Sequence, residues 1–384
     1  MQGGHNWMGG VEYMKNIVFA LASLPPEVRS TFEVCLICSQ ELKPVASELS
    51  TFVSSIHFFG ASQEPLTVPN LIRLGSAKIL FGQADLRLDR ALNQAKIDFA
   101  YPYLATSRWR KRFRSATWIP DCQHKYLPQF FTGTEIQGRD RQFSFMANHA
   151  SVIVFSSKTA EADFKRFFFK ATYKPEILSP CVYPLPEWYE ADPVRTQEVY
   201  HLPERFFLIN NQFWQHKNHL VAFDALKLLG DQAIHPVLVC TGSLYDYRNP
   251  SFLNTTLQTI NKLGITRQVY LLGIVTRLEM ISLMRRALAV VQPSLFEGWN
   301  FAVEEARCLG KPIVLSDIPV HREQDPPHSI FFENNSAEHL AMVLADAWRS
   351  LTPGPNREHE DIARNSNLKE AQAFGYRFLE IVKG

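Results

Sequence analysis

Short apolar runs alternate, along almost the whole chain, with stretches whose apolar positions recur every three or four residues. Phe32–Ser39 and Phe52–Phe59 are compact apolar runs and predict strands. Asn70–Gly82 and Leu86–Ala95 carry helical spacing, and Ile97–Tyr103, Ala116–Ile119 and Ser151–Phe155 predict further strands. Ser157 then suits an N-cap, with a helix over Thr159–Lys170. Near the start, Val11, Met14, Ile17, Val18 and Leu21 share one helical face, which favours an amphipathic helix. Glu12 and Pro25-Pro26 argue against reading that stretch as a secretion signal.

The rhythm breaks where Pro180, Pro184, Pro186, Pro193 and Pro203 crowd together among charged residues, which predicts a linker. Beyond it, Phe206–Asn210, Pro236–Thr241, Gln268–Val275, Ala287–Gln292 and Pro312–Ser316 predict strands with helices between them. Thr276-Arg-Leu-Glu279 is a capping box opening one of these helices. After the breaker Thr352-Pro-Gly-Pro355, residues 357–383 predict one or two helices. Strands alternating with helices imply parallel sheets covered on both faces. The expected fold class is α/β, with two Rossmann-like doubly wound domains over residues 1–185 and 200–355 facing a central cleft. Such sheets bind ligands outside the carboxyl ends of their strands, so chemistry is sought in strand-to-helix loops.

Composition narrows the classes. Apolar residues make up 46% and charged residues 20%, the balance of a folded globular chain rather than a disordered one. Lys plus Arg is 40 and Asp plus Glu is 38, a net charge of +2 that gives no support to a whole-surface nucleic-acid binder. Six cysteines do not make a disulfide framework in a chain of 384 residues. Cys35 and Cys38 fall on opposite faces of a predicted strand and read as two small core residues, not a redox or zinc pair. No apolar run approaches the roughly 18 residues of a membrane span. A cytoplasmic location is expected.

The richest segment runs from Gln292 to Asp317. A predicted strand ends near Gln292, a loop holds Glu297 and Gly298, and a helix starts near Asn300 and closes at Gly310 and Pro312. Glu305 lies eight residues after Glu297, a spacing of about 12 Å on a helix. That is the reach of a sugar joined through a diphosphate to a ribose. The helix N-terminus offers amides and a positive dipole end to anionic groups. The same spacing also suits a solvated carboxylate pair beside a helix cap. In Asn210-Asn-Gln-Phe-Trp-Gln-His-Lys-Asn218, Lys217 is expected to begin a helix, where its ammonium can neutralise a leaving diphosphate. His124, in Trp118–Phe130, has the proton affinity to orient a hydroxyl or move a proton, although a lone loop histidine also suits a structural role. Gly9 and Gly10 let backbone approach a phosphate or sugar closely. Gly242 and the loop Gly273-Ile-Val275 end two further strands. The basic run Arg108–Arg114 offers a surface to anionic headgroups.

The segment around Glu297 and Glu305, with P-S-x-x-E-G before it and G-K-P-I-V-x-S-D after it, resembles the E-x7-E signature of the GT-B glycosyltransferases of family 4 (glycosyl transferases group 1), the retaining nucleotide-sugar transferases. The resemblance implies that Glu297 contacts donor sugar hydroxyls and Glu305 the ribose hydroxyls. It implies that the backbone at Asn300, Phe301 and Ala302 approaches the sugar and diphosphate. The Val275 loop would meet the nucleobase. His124, in a run D-x-Q-H-x-x-x-P-x-F like the family's acceptor-side loop, would lie near the donor sugar. The final segment, 357–384, would complete the first domain. Two departures stand out. Relatives often carry E-G-F-G where this chain has Glu297-Gly298-Trp299-Asn300, so Asn300 is expected to narrow the sugar pocket. Relatives often carry Arg five residues before Lys217, where this chain has Gln212. In relatives a strand precedes the Gly9-Gly10 loop, and the first domain is expected to lack it here.

The function implied is retaining transfer of a sugar from a nucleoside diphosphate donor to a hydroxyl of a glycan or lipid-linked acceptor. No cofactor and no metal are expected, since no Asp-x-Asp pair occurs. No nucleic acid is expected as partner. A peripheral contact with the inner face of the membrane through 108–114 is the further expectation. Two rivals share the fold: a nucleotide-sugar epimerase, which needs no acceptor, and a non-catalytic subunit, which shows no turnover.

Overall fold

A computed structural model of the chain describes residues 8–59, 88, 91–92, 94–104, 113–169 and 173–384. The predicted helix Asn70–Gly82, half of Leu86–Ala95, residues 108–112 of the basic run and the opening residues 1–7 lie outside the described residues.

The first half contributes the strands β1 (Cys35–Ser39), β2 (Ser55–Phe59), β3 (Phe99–Ala100), β4 (Arg114–Ser115), β5 (Thr117–Ile119), β6 (Val152–Phe155) and β7 (Lys174–Ile177). They pair as β1-β2, β3-β4 and β5-β6-β7, every pair parallel. Cys38 packs into one apolar cluster with Leu36 and Leu42, while Cys35 packs on the other face against Ile37 and Leu92, and both thiols are free.

The second half forms one six-stranded parallel sheet from β8 (Phe207–Asn210), β9 (Leu238–Thr241), β10 (Val269–Gly273), β11 (Val290–Gln292), β12 (Ile313–Ser316) and β13 (Ser329–Phe332), in the order β10-β9-β8-β11-β12-β13. Its central strands are short, apolar and buried on both sides, which is why they read as runs rather than alternations. Successive side chains serve opposite cores. Phe207 and Ile209 join Leu226 and Leu344 under the helices His219–Gly230 and Ala337–Ser350. Leu208 joins Met284 and Val303 under the helices Arg277–Arg286 and Phe301–Cys308.

Residues 357–383 form one 27-residue helix, Arg357–Lys383, that serves both halves. Its Phe374, Phe378 and Ile381 pack on Tyr13, Ile17 and Leu21 of the helix Met8–Ala22. Gly375 permits that approach, because a Cβ there would lie 2.9 Å from the Ala20 carbonyl oxygen. Toward the second half, Glu360 takes two hydrogen bonds from Arg285, at 2.6 and 3.1 Å, and both side chains are buried.

Two predicted elements differ, and the strands β4, β7 and β13 were not predicted. The proline-rich stretch is not a plain linker: it holds the helices Glu187–Glu190 and Pro193–Val199. Pro193 sits at the first turn behind the cap Asp192, where proline starts a helix instead of breaking it. The strand expected over Ile97–Tyr103 shrinks to Phe99–Ala100. β7 was not expected, because Lys174-Pro-Glu-Ile177 carries polar residues at a sheet edge. No helix among the described residues is long and apolar enough to cross a membrane.

Replacing Glu360 by Ala strands the buried Arg285 charge, and breaking such a pair costs about 3–5 kcal/mol. Glu360→Ala is therefore expected to lower the urea unfolding midpoint clearly; a wild-type midpoint would contradict the role given to this pair.

Candidate active site

In the six-stranded sheet the chain order runs outward from β8 to one edge and from β11 to the other. The crevice outside the carboxyl ends of β8 and β11 is thus the topological switch point, the place where such sheets bind ligands. β8 ends at Asn210 and β11 at Gln292, and the loops that follow carry Lys217 and Glu297. A hydrogen bond from the Leu295 amide to the His216 carbonyl, 2.8 Å, ties the two loops together. Lys217 Nζ then reaches Glu297 Oε1 at 2.5 Å, with both side chains largely buried. Lys217 does not open the following helix as expected; it ends the 3-10 turn Gln215–Lys217, two residues before the helix His219–Gly230.

Behind this pair lies a buried polar network. Asn210 Nδ2 donates to Glu305 Oε2 at 3.1 Å, and Gln292 Nε2 donates to Asn210 Oδ1 at 3.0 Å. Asn211 and Asn300 both donate to Gln292 Oε1, at 2.9 and 3.0 Å. Asn300 is the N-cap of the helix Phe301–Cys308, its Oδ1 accepting from the Ala302 amide at 3.1 Å. Its Nδ2 also lies 3.2 Å from His321 Nε2, while His321 Nδ1 donates to the Ser316 carbonyl at 2.9 Å. Burial pushes His321 down to about 4, so the ring stays neutral and keeps this pairing.

These contacts correct two expectations. Asn300 does not narrow an opening, since its side chain points into the network and only 2% of the residue is exposed. Two of the three amides expected to meet the diphosphate are engaged internally: that of Asn300 by Gln324 Oε1 at 3.2 Å, and that of Ala302 by the cap.

Glu305 is buried inside the same helix, paired with Arg277 through one oxygen and with Asn210 through the other. Burial raises its proton affinity, and Arg277 and Asn210 oppose that. Arg277 is the first residue of the helix Arg277–Arg286, with its guanidinium 5.0 Å from the Trp188 ring. Sequence reasoning passed over Arg277, Asn210, Gln292 and His321. The available signal for Arg277 was its place in the first helical turn, where a cation opposes the dipole unless a carboxylate faces it.

The first half closes over the Glu297 loop. A Cβ on Gly298 would lie 2.3 Å from the Pro120 carbonyl oxygen and 2.8 Å from Asp121 Cβ, so glycine is required there for backbone to meet backbone. Tyr126 stacks on Phe296 with ring centres 5.3 Å apart. Arg248 donates to Gln123 Oε1 at 3.4 Å. His124, expected at the cleft, is instead a core residue. Its ring is fully buried beside Phe131, Phe143 and Phe168, and its Nε2 meets Asp140 Oδ1 at 3.0 Å. Burial lowers its proton affinity. Within that run Asp121 and Tyr126, not His124, abut the Glu297 loop.

Gly9 and Gly10 lie in the first turn of the helix Met8–Ala22, not in a loop before it. One turn on, Glu12 is close enough to bear electrostatically on both Arg277 and Glu305, so this helix start faces that end of the site. Gly242 has φ +118°, and a Cβ there would lie 2.4 Å from the Asn211 carbonyl oxygen. It thereby presses the end of β9 against the loop holding half-buried Gln212. Beside it opens a cavity of about 340 Å³ lined by Ser243, Leu244, Tyr245, Leu253, Gly273 and Ile274, with half-buried Val275 next in the chain. Among the described residues no three His, Cys, Asp or Glu side chains converge as metal ligands.

Two parallel α/β halves meeting over this crevice make the GT-B fold, and solved structures bear that out. The crystal structure of Anabaena Alr3699/HepE in complex with UDP and glucose matches with a TM-score of 0.67 at 15% identity, covering 99% of this chain and 98% of that one. A glycosyltransferase from Rickettsia africae ESF-5 matches with a TM-score of 0.69 at 16% identity, covering 99% and 96%. More particularly, residues 194–360 match the family model of the glycosyl transferases group 1, so the half that holds Lys217, Glu297 and Glu305 is such a domain. A stretch of 120 residues is 29% identical to the O-antigen chain mannosyltransferase RfbU of Salmonella typhimurium, covering 31% of this chain and 32% of that protein. That match thus spans about a third of the curated relative.

The buried histidines set a pH dependence. His321, held at about 4, and His219, held at about 3, stay neutral in the fold, whereas an unfolded chain protonates them near 6.5. The unfolded state binds more protons between those values, so stability falls as pH drops below about 6.5. His321→Gln is expected to remove a loss on the order of 1–3 kcal/mol from the wild-type slope between pH 7 and 4. Parallel denaturation curves for the two proteins across that range would contradict the assignment.

Proposed function

We propose that the chain is a glycosyltransferase that moves a sugar from a nucleoside diphosphate donor to a hydroxyl of a glycan or lipid-linked acceptor, with retention of configuration and without a metal. The observation that carries this reading is the pairing of Lys217 with Glu297 and of Arg277 with Glu305 at one switch-point crevice, in a glycosyl transferases group 1 domain. UDP and glucose in the HepE complex, and the mannosyltransferase name of RfbU, agree with a nucleotide sugar as donor and a glycan as acceptor.

In this reading the nucleobase enters the largely apolar cavity beside Gly273 and Ile274, and the ribose hydroxyls donate to Glu305. The sugar hydroxyls take over Glu297, which frees Lys217 for the diphosphate. Lys217 supplies the positive charge as the sugar–phosphate bond breaks, and Gln212 adds a neutral donor. The acceptor, held on the side of Asp121, attacks from the face that the diphosphate leaves. The departing phosphate takes the acceptor proton. The protein's contribution is position and charge, without an obligatory nucleophile.

Thermal-shift measurements with UDP, GDP, ADP and their sugars identify the donor, because bound nucleotide raises the melting temperature by mass action. Glu297→Ala and Lys217→Ala are each expected to lower turnover at least about tenfold, about 1.4 kcal/mol of barrier. Wild-type turnover in both variants would contradict the proposal. Conversion of the free nucleotide sugar without acceptor would indicate an epimerase, and an inverted anomeric centre in the product would refute retention.

A further inference from the structure

We infer that Arg277 is a positioning residue for the donor ribose: its pairing holds the Glu305 carboxylate ionised and aimed, so that the ribose hydroxyls can donate to it. This rests on the reading that Glu305 meets the ribose.

Glu305 is 4% exposed, and a carboxylate in such a place favours its neutral form. A protonated carboxyl offers one O–H donor and loses acceptor capacity, whereas an ionised one has about four lone-pair sites. Arg277 and Asn210 occupy one site on each oxygen, which leaves a second on each for two hydroxyls. The charged and titratable neighbours are Arg277 on the helix Arg277–Arg286, Glu12 on the helix Met8–Ala22 and Cys308 on the helix of Glu305 itself. Glu12 works with burial toward the neutral form, and Asn210 from β8 donates without charge. Among the described residues, Arg277 is the one cation paired with Glu305.

Three features indicate that Arg277 is held for this task. Its backbone lies at the first helical position, where a cation opposes the helix dipole. Its guanidinium lies over the ring of buried Trp188, which helps to fix its orientation. Its side chain is 37% exposed against 5% for Glu305, so Arg277 is the more accessible member of the pair and Glu305 the more enclosed.

The test is calorimetric binding between pH 5.5 and 8.5. The probe is UDP or GDP, whichever binds the wild type more tightly, with its 2′-deoxy counterpart alongside. The wild type is expected to prefer the ribonucleotide about tenfold at every pH, one charge-assisted hydrogen bond's worth. Arg277→Gln should lose that preference at pH 5.5 and regain it as pH rises, because without the guanidinium Glu305 ionises only at higher pH. Arg277→Lys should keep the preference within about threefold of wild type at all pH values, about half of the logarithmic effect. Glu305→Gln should lose it throughout. A pH-independent, wild-type preference in Arg277→Gln overturns the inference while leaving the ribose reading intact. A wild-type preference in Glu305→Gln overturns the ribose reading and the inference with it. Should Arg277→Gln not fold, loss of preference in Arg277→Lys at every pH overturns the inference, and its retention supports it.

Discussion

The site depends on one constraint: the first turn of the helix Phe301–Cys308 must be held rigidly over the carboxyl ends of β8 and β11. Side-chain amides meet that constraint where apolar packing could not. Asn210, Asn211, Gln292 and Asn300 form a connected set of hydrogen bonds at the ends of two strands whose other residues are apolar. A half-satisfied polar group in such a place would cost more than an apolar one, and here the set closes on His321 at one end and on Glu305 at the other. The neutral imidazole is part of the arrangement, since its Nε2 faces the Asn300 amide.

The same network couples the helix to the other half of the molecule. His321 and Gln324, on the short helix Pro319–Gln324, hold Asn300. Between them Glu323 accepts from the Lys158 and Thr159 amides at 2.6 and 3.0 Å, at the start of the first-half helix Lys158–Phe167. Those amides are otherwise unpaired at a helix start and carry its positive dipole end, so a carboxylate from across the cleft suits them. Gly298 against Pro120 and Tyr126 against Phe296 close the same seam at the Glu297 loop.

Much of this was legible in the amino-acid order. The buried parallel strands announced themselves as short apolar runs, whereas the spacing of Glu297 and Glu305 suited a solvated pair beside a helix cap as well, and the family resemblance singled that segment out. Lys217 was identified by its place after a strand. What periodicity does not carry is direction. His124 and Asp121 lie three residues apart in one loop, and nothing local says which turns to the cleft; three Phe rings drew the histidine inward. Asn300 looked like a bulkier pocket residue because its capping role depends on Gln292 and His321, distant in the chain. Arg277 was hidden inside a capping box whose signature residues, Thr276 and Glu279, explain the helix start without it. The prolines of 180–205 misled because the same residue opens a helix at its first turn and breaks one elsewhere.

The most direct measurement is a crystal structure of the chain soaked with its donor nucleotide sugar. The account places the ribose against Glu305, the sugar against Glu297 and the diphosphate at Lys217, all outside the ends of β8 and β11. Density for that ligand at a location away from both carboxylates would contradict it.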